Sequence, residues 1–409
     1  MTAQRTHATA VTRGAPRGAS AADFHRREGT ELLAPEGTPA FRRGMGLGGW
    51  LLPEGYMWDL EGPVDSPRRI EAMVQELVGA EAAADFWTRY RARFVTAEDI
   101  ALIAAAGFDH VRLPLNARLL LDGEGLRAEG IAHVDDTLAW CREAGIGCVL
   151  DLHGAPGGQT GANIDDSPHR LPELFTDLDA YAQGLSLWRL LAERYAHDPT
   201  VIAYDLLNEP LPEQHAHLVP RLAEFYRDVI AEIRAVDPHH LLSIEGWHWS
   251  TRFDGLERLW DENSCLHFHK YWSEPTTDSI RPYLDLRERL GVPLWMGESG
   301  ENQESWYTEA FSLFERHRIP WTFWTWKKLD RPTSPLVIAR PERWDELARY
   351  AAGRGPAPER PGEILEQLLE HLPASRCHLR ETVLEALPGI TAPGDPGAAR
   401  PTTQEGRPR

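Results

Sequence analysis

No apolar run in the chain approaches the roughly 20 residues a membrane-crossing helix needs. The opening stretch, MTAQRTHATAVTRGAPRGASAADF, also lacks the hydrophobic core of a secretory signal. A cytoplasmic protein is therefore expected, or an exported one if the assigned start is wrong. Cysteine is scarce. Cys141, Cys148, Cys265 and Cys377 show no close metal-type pairing and sit mostly in apolar runs, as reduced core thiols do. Basic charge is short as well, with 43 Lys and Arg against 62 Asp and Glu, a formal charge of −19. That balance argues against nucleic acid and anionic membrane surfaces as partners, and it fits a soluble protein acting on a neutral ligand. No internal repeat is visible. The oligomeric state is not legible.

What the 409 residues do contain is a globular composition: 42% apolar, 34 Gly and 15 Trp. So much Trp has two readings, extra core volume or flat platforms for sugar faces. Residues 1–38 and 389–409 read as disordered tails rich in small, polar and Pro/Gly residues, leaving 39–388 as one domain. Within it, eight strand-like runs occupy 43–47, 110–113, 147–152, 201–207, 241–245, 265–269, 293–297 and 321–326. Segments 96–106, 131–144, 179–197, 220–236, 280–290 and 306–317 carry helical apolar spacing between them. A parallel sheet needs helical crossovers, and eight β/α units in alternation point to an α/β fold, a (β/α)8 barrel. A helical insertion, 61–93, would wall one side of its open face, and 364–387 reads as closing helices.

In such a barrel the C-terminal strand ends converge on one face. VIAYDLLNEP ends by presenting Glu209, and VPLWMGES ends with Glu298. Two strand-end carboxylates point to glycoside hydrolysis by paired acids, one protonating the leaving oxygen and the other attacking the anomeric carbon. Arg112 is placed to hold one carboxylate charged. Asn208 would bond a sugar 2-hydroxyl, Tyr271 would orient the nucleophile, and His153 and His269 would bond sugar hydroxyls or the acid. Trp324 or Trp326 would floor the subsite; both fall on one strand face, and only one need touch sugar.

The motifs VRLP, DLHG, LNEP, HKY, GESG and FWTW, in this order, resemble glycoside hydrolase family 5, over about residues 42–328. The loops LGGWLLPEGY and DLHGAPGGQTG are similar to those of its exo-β-1,3-glucanase branch. That resemblance implies a retaining mechanism, Glu209 as acid/base, Glu298 as nucleophile, and neither metal nor organic cofactor. It also implies that Glu54 binds the terminal glucose. An acidic residue after the HGAPG loop does likewise in that branch. Here the loop runs ANIDDSP and is longer, so Asn163, Asp165 and Asp166 are all candidates.

Blander readings stand beside these. Glu209 and Glu298 would be structural ion-pair partners, Arg112 a plain ion-pair residue, and His153 and His269 satisfied core histidines. His267, two residues before His269, invites a zinc reading, but no third ligand is evident and packing beneath the site is expected. Glu245 is expected behind the site. Trp247 and Trp249 are either rim packing or platforms. The expected function is a retaining β-glycosidase releasing sugar from β-glucosides or β-glucans, and an exo action is expected. Its rivals are an endo-β-glucanase or mannanase with an open cleft, a transglycosylase, and a non-catalytic carbohydrate-binding barrel.

Overall fold

The computed structural model describes residues 20–40, 42–123 and 125–393. Eight parallel strands close into a barrel in sequence order: Arg43–Gly46, His110–Asn116, Gly147–Gly154, Val201–Asp205, Leu241–Glu245, Ser264–His269, Leu294–Gly300 and Trp321–Trp324. The eighth pairs with the first, Trp321 opposite Arg43, so the sheet has no edge. All eight predicted runs are strands, with ends displaced by at most a few residues. Nearly every residue of these strands is buried, as expected when helices cover a parallel sheet outside and side chains fill it inside.

The crossover helices follow the predicted apolar spacing, among them Ala97–Ala106, Ala128–Ala144, Leu178–Tyr195 and Val219–Arg234. Thr96 and Asp99 cap the first reciprocally. Gly145 ends the second at φ 71°, a left-handed turn that only glycine enters freely, and feeds the third strand.

The insertion after strand one is two helices, Pro67–Val78 and Ala80–Phe94. They hold the loop that carries Glu54 through an aromatic cluster: Trp58 stacks on Trp87 at 5.6 Å and lies 6.0 Å from Trp344. Tyr90 accepts from the Trp58 indole and donates to the Gly49 carbonyl. Much of the Trp therefore supplies core volume. Of the predicted closing segment, Pro361–His371 and Glu381–Glu385 are helical.

Both tail boundaries need correction. Residues 26–33 form an antiparallel hairpin, Arg26–Glu28 with Glu31–Leu33, where a disordered tail is expected. Leu32 packs against Val149, Ile202, Ala203, Leu241, Cys265 and Trp295 at the end of the barrel away from the strand tips. Arg27 fastens the hairpin, its backbone N–H donating to Asn263 at 2.9 Å and its guanidinium to the Gly291 carbonyl at 2.7 Å. At the other terminus Ile390 is buried, and the Thr391 N–H donates to Ala106. Residues 1–19 and 394–409 of the expected tails lie outside the described residues.

Candidate active site

Arg112, pointing inward from strand two and 1% exposed, is the hub on which the strand ends converge. Its guanidinium donates to Asp205 (2.9 Å), Glu298 (2.8 Å), Asn208 (2.9 Å) and Glu245 (3.0 Å), and lies 3.2 Å from Asp151. Four buried carboxylates around one cation tolerate burial because the planar fork meets several of them at hydrogen-bonding distance.

From Asn208 a ring of bonds returns to the same arginine. The Asn208 amide faces His153 Nε2 at 3.2 Å, and His153 Nδ1 lies 2.7 Å from Asp151. Burial and the Arg112 charge push the His153 imidazole down to about 3, so it is neutral, with its Nδ1–H donating to Asp151 and Nε2 accepting from Asn208.

Glu209 and Glu298 meet across the pocket. One carboxylate oxygen of each lies within 4.8 Å of the other and of a His269 nitrogen. That spacing suits the carboxyl pair of a retaining glycosidase, about 5 to 5.5 Å, and falls short of the wider inverting arrangement. Their surroundings differ. Burial and the adjacent Glu298 charge push the Glu209 carboxyl well above the ordinary range. Burial also raises Glu298, but Arg112 and the hydroxyl of Tyr271, which donates to it at 2.7 Å, hold it lower. The pair is thus biased toward one protonated and one ionised member.

Glu209 sits at φ 43°, a strained setting for a residue with a side chain. Its N–H is held by Glu245 at 2.7 Å, and its Oε1 by His269 Nδ1 at 2.7 Å. Burial, with His267 and Arg112 nearby, drives the His269 imidazole well below its ordinary range, so it too is neutral.

Trp324 floors the pocket. Its indole lies parallel to His153 at 5.4 Å and donates to the Tyr56 hydroxyl. Gly46 and Gly48 make room for the ring: a Cβ on either would fall 2.5 to 2.6 Å from it. Trp326, the other candidate, is turned away and bonds Asp99, packing in the core. Glu54, 2% exposed, accepts from Asn163 at 3.4 Å. Burial, then the charges of Glu298 and Glu209, push its carboxyl well above the ordinary range, which places it within electrostatic reach of the pair.

The two aspartates beside Asn163 do other work. Asp165 is filled by its own loop, accepting from the N–H groups of Gln159, Thr160, Gly161 and Ser167 and from the Thr160 hydroxyl. Asp166 accepts from Arg118, Asn116 and the Arg68 N–H. Asn163 alone of the three reaches toward the pocket. Trp247 is rim packing, buried beneath the Arg252 guanidinium at 4.2 Å with its N–H on Asp254, and Trp249 is half-buried.

The sequence does not single out Asp151, Asp205, Tyr56, the pairing of buried Lys328 with the half-buried Glu301, or Trp272, which is 73% exposed and 5.2 Å from Tyr271. Strand parity offers a signal for Asp151, which lies on the same strand face as His153. The third group near His267 and His269 is Glu245, whose carboxylate comes within 4.8 Å of both. The same Glu245 oxygen already accepts from Arg112, and a guanidinium at 3.0 Å opposes a divalent cation there.

Comparison with known proteins agrees with this geometry. The family model Cellulase (glycosyl hydrolase family 5) matches residues 72–330. A β-xylosidase of Phanerodontia chrysosporium is 28% identical over 341 residues, covering 74% of this chain and 70% of that protein. A probable glucan 1,3-β-glucosidase A of Emericella nidulans is 34% identical over 257 residues, 61% of this chain and 62% of its relative. The endoglucanase Cel5A of Thermotoga maritima superposes with a TM-score of 0.51 at 17% identity, over 80% of this chain and 96% of that one, a likeness of fold alone. The protein is a retaining β-glycosidase acting on O-glycosyl bonds, and with more than half its length matched by the family model the chain belongs to glycoside hydrolase family 5.

Proposed function

We propose that the enzyme is an exo-acting β-glucosidase that takes terminal glucose from β-glucosides or short β-glucans. In this reading Glu209 protonates the leaving oxygen while Glu298 attacks the anomeric carbon, giving a glycosyl-enzyme. Glu209, now ionised, then takes a proton from the water that releases the sugar. Arg112 and Tyr271 keep Glu298 charged for attack, and Asn208, fixed by Arg112, offers its amide to the sugar 2-hydroxyl. Glu54 and Asn163 bind hydroxyls of the terminal sugar on the Trp324 floor.

The observation that carries the exo reading is the joining of two loops on the Glu54 side of the pocket. Asn163 bonds Glu54, Arg170 bonds Asp65 and the Pro63 carbonyl, and Asp166 bonds the Arg68 N–H. A chain of sugars running past Glu54 would have to break that wall, whereas an endo enzyme needs a cleft open at both ends.

The test is a time course on short β-glucans with analysis of every product. Glucose as the sole early product supports the proposal, and mixed oligosaccharides from the first minutes overturn the exo action. Faster release of xylose than of glucose from matched aryl glycosides overturns the choice of sugar.

A further inference from the structure

Beneath Glu209 the hydrogen bonds do not stop at His269. His269 Nε2 lies 3.1 Å from His267 Nε2, and His267 Nδ1 lies 2.7 Å from the Ser243 hydroxyl. All three side chains are buried. We propose that His267 is a positioning residue: it fixes the tautomer of His269 and thereby keeps the acid proton of Glu209 turned toward the substrate. This rests on the reading of Glu209 as the acid.

The argument is one of hydrogen counting. Two imidazole nitrogens 3.1 Å apart form a bond only when one of them carries the hydrogen. If His269 Nε2 carried it, neutral His269 would present a bare Nδ1 to Glu209 Oε1 at 2.7 Å. That lone pair would repel the ionised carboxylate, and it would draw the proton of the neutral acid onto Oε1, away from the leaving oxygen. If His267 Nε2 carries it, His269 Nδ1–H donates to Oε1. This single arrangement suits both forms of Glu209, because an ionised oxygen and a carbonyl oxygen both accept. The acid proton is then left on Oε2. The donors run in one direction, His267 to His269 and His269 to Glu209.

Three neighbouring strands meet at His267. Asp205 Oδ1, from strand four, lies 3.3 Å from Nδ1 and favours a hydrogen there as well, so His267 donates from both nitrogens, with the Ser243 hydroxyl as a second acceptor at Nδ1. Glu245 Oε1, from strand five, lies 3.6 Å from the Nε2 of each histidine, and Arg112 binds both of these carboxylates. At Gly297 strand seven leaves room for the ring: a Cβ there would fall 1.5 Å from His267 Nε2. The glycine immediately before Glu298 is therefore the space in which the imidazole sits. His267 touches the strand that delivers one carboxylate and bonds the histidine that orients the other.

The experiment compares wild type, His267→Phe, His267→Gln and Glu209→Ala on an alkyl β-glucoside and a dinitrophenyl β-glucoside, whose leaving group needs no proton. In His267→Phe, kcat/KM on the alkyl substrate should fall about tenfold to a hundredfold more than on the dinitrophenyl one. The alkaline limb of its pH profile should move, and His267→Gln, which can still donate, should recover part of the loss. Equal losses on both substrates, with Glu209→Ala selective, overturn the proposal alone. Equal losses in Glu209→Ala overturn the acid assignment beneath it. Nitrogen NMR of labelled imidazoles in the wild type reads the tautomer without any variant. His269 protonated at Nδ1 and bare at Nε2 supports the proposal. The opposite tautomer, or both Nε2 atoms bare as in a metal-binding pair, overturns it.

Discussion

Arg112 and Glu298 are joined by a 2.8 Å bond between groups 1% and 7% exposed, and the same guanidinium serves three further carboxylates. Arg112→Ala would leave Asp151, Asp205, Glu245 and Glu298 buried without their shared cation. The expected cost is about 3 to 5 kcal/mol of stability, read by urea denaturation, along with loss of activity. A variant as stable as the wild type would show that the cluster is balanced by something other than Arg112.

Removal of either pocket carboxylate should stop turnover of unactivated glycosides by different routes. Glu298→Ala is expected to lose all substrates. Glu209→Ala should lose about 10² to 10⁴ in kcat/KM on poor leaving groups and much less on good ones. Azide should restore turnover in both, giving an α-glycosyl azide with Glu298→Ala and a β-glycosyl azide with Glu209→Ala, distinguished by NMR of the product.

The pH profile of kcat/KM should be bell-shaped, and its sign follows from the two carboxyls. On the proposed roles, activity needs Glu298 ionised and Glu209 protonated. Because burial and the Glu298 charge raise Glu209, the alkaline limb should lie above the ordinary glutamate range. Tyr271→Phe removes a donor that favours ionised Glu298, so the acidic limb should shift to higher pH. An acidic limb that stays in place would show that the hydroxyl does not tune the nucleophile.

Glu54 and Asp166, near neighbours of the same loop junction, should respond in opposite ways. Glu54→Ala is expected to raise the inhibition constant of glucose about tenfold, the worth of one hydrogen bond, with little loss of stability. Asp166→Ala should cost about 2 kcal/mol in thermal or urea unfolding, because it leaves Arg118 with Glu71 alone and removes the acceptor at the start of the insertion helix, and should change glucose affinity less. The reverse pattern would return Asp166 to the sugar.

The strand ends were legible because each is a local pattern: an apolar run, a polar terminus, then a turn. Glu209, Glu298 and Tyr271 come from such ends, whereas Arg112 lies within the seven-residue strand His110–Asn116 and stood out as a charge in an apolar run. Asn163, Asp165 and Asp166 could not be separated by that means. What decides among them is the fold of the loop around Asp165, the reach of Asn163 to Glu54, and the contact of Asp166 with Arg118 and Arg68, none of which a local pattern reports. Strand parity put Trp324 and Trp326 on one face, but the strand ends at Trp324 and the chain then carries Trp326 to Asp99. The hairpin was missed because three-residue strands are too short to show an alternation.

That hairpin changes where the gene can be cut. A shortened version starting at residue 39 keeps every group in the catalytic pocket, yet it loses Leu32 and Arg27 and opens the far mouth of the cylinder to water. The stopper there is drawn from the part of the chain an engineer would discard first. Trimming or fusion at the N-terminus is better made ahead of Ser20, and a protease that nicks between the stopper and strand one would unseal the barrel from behind.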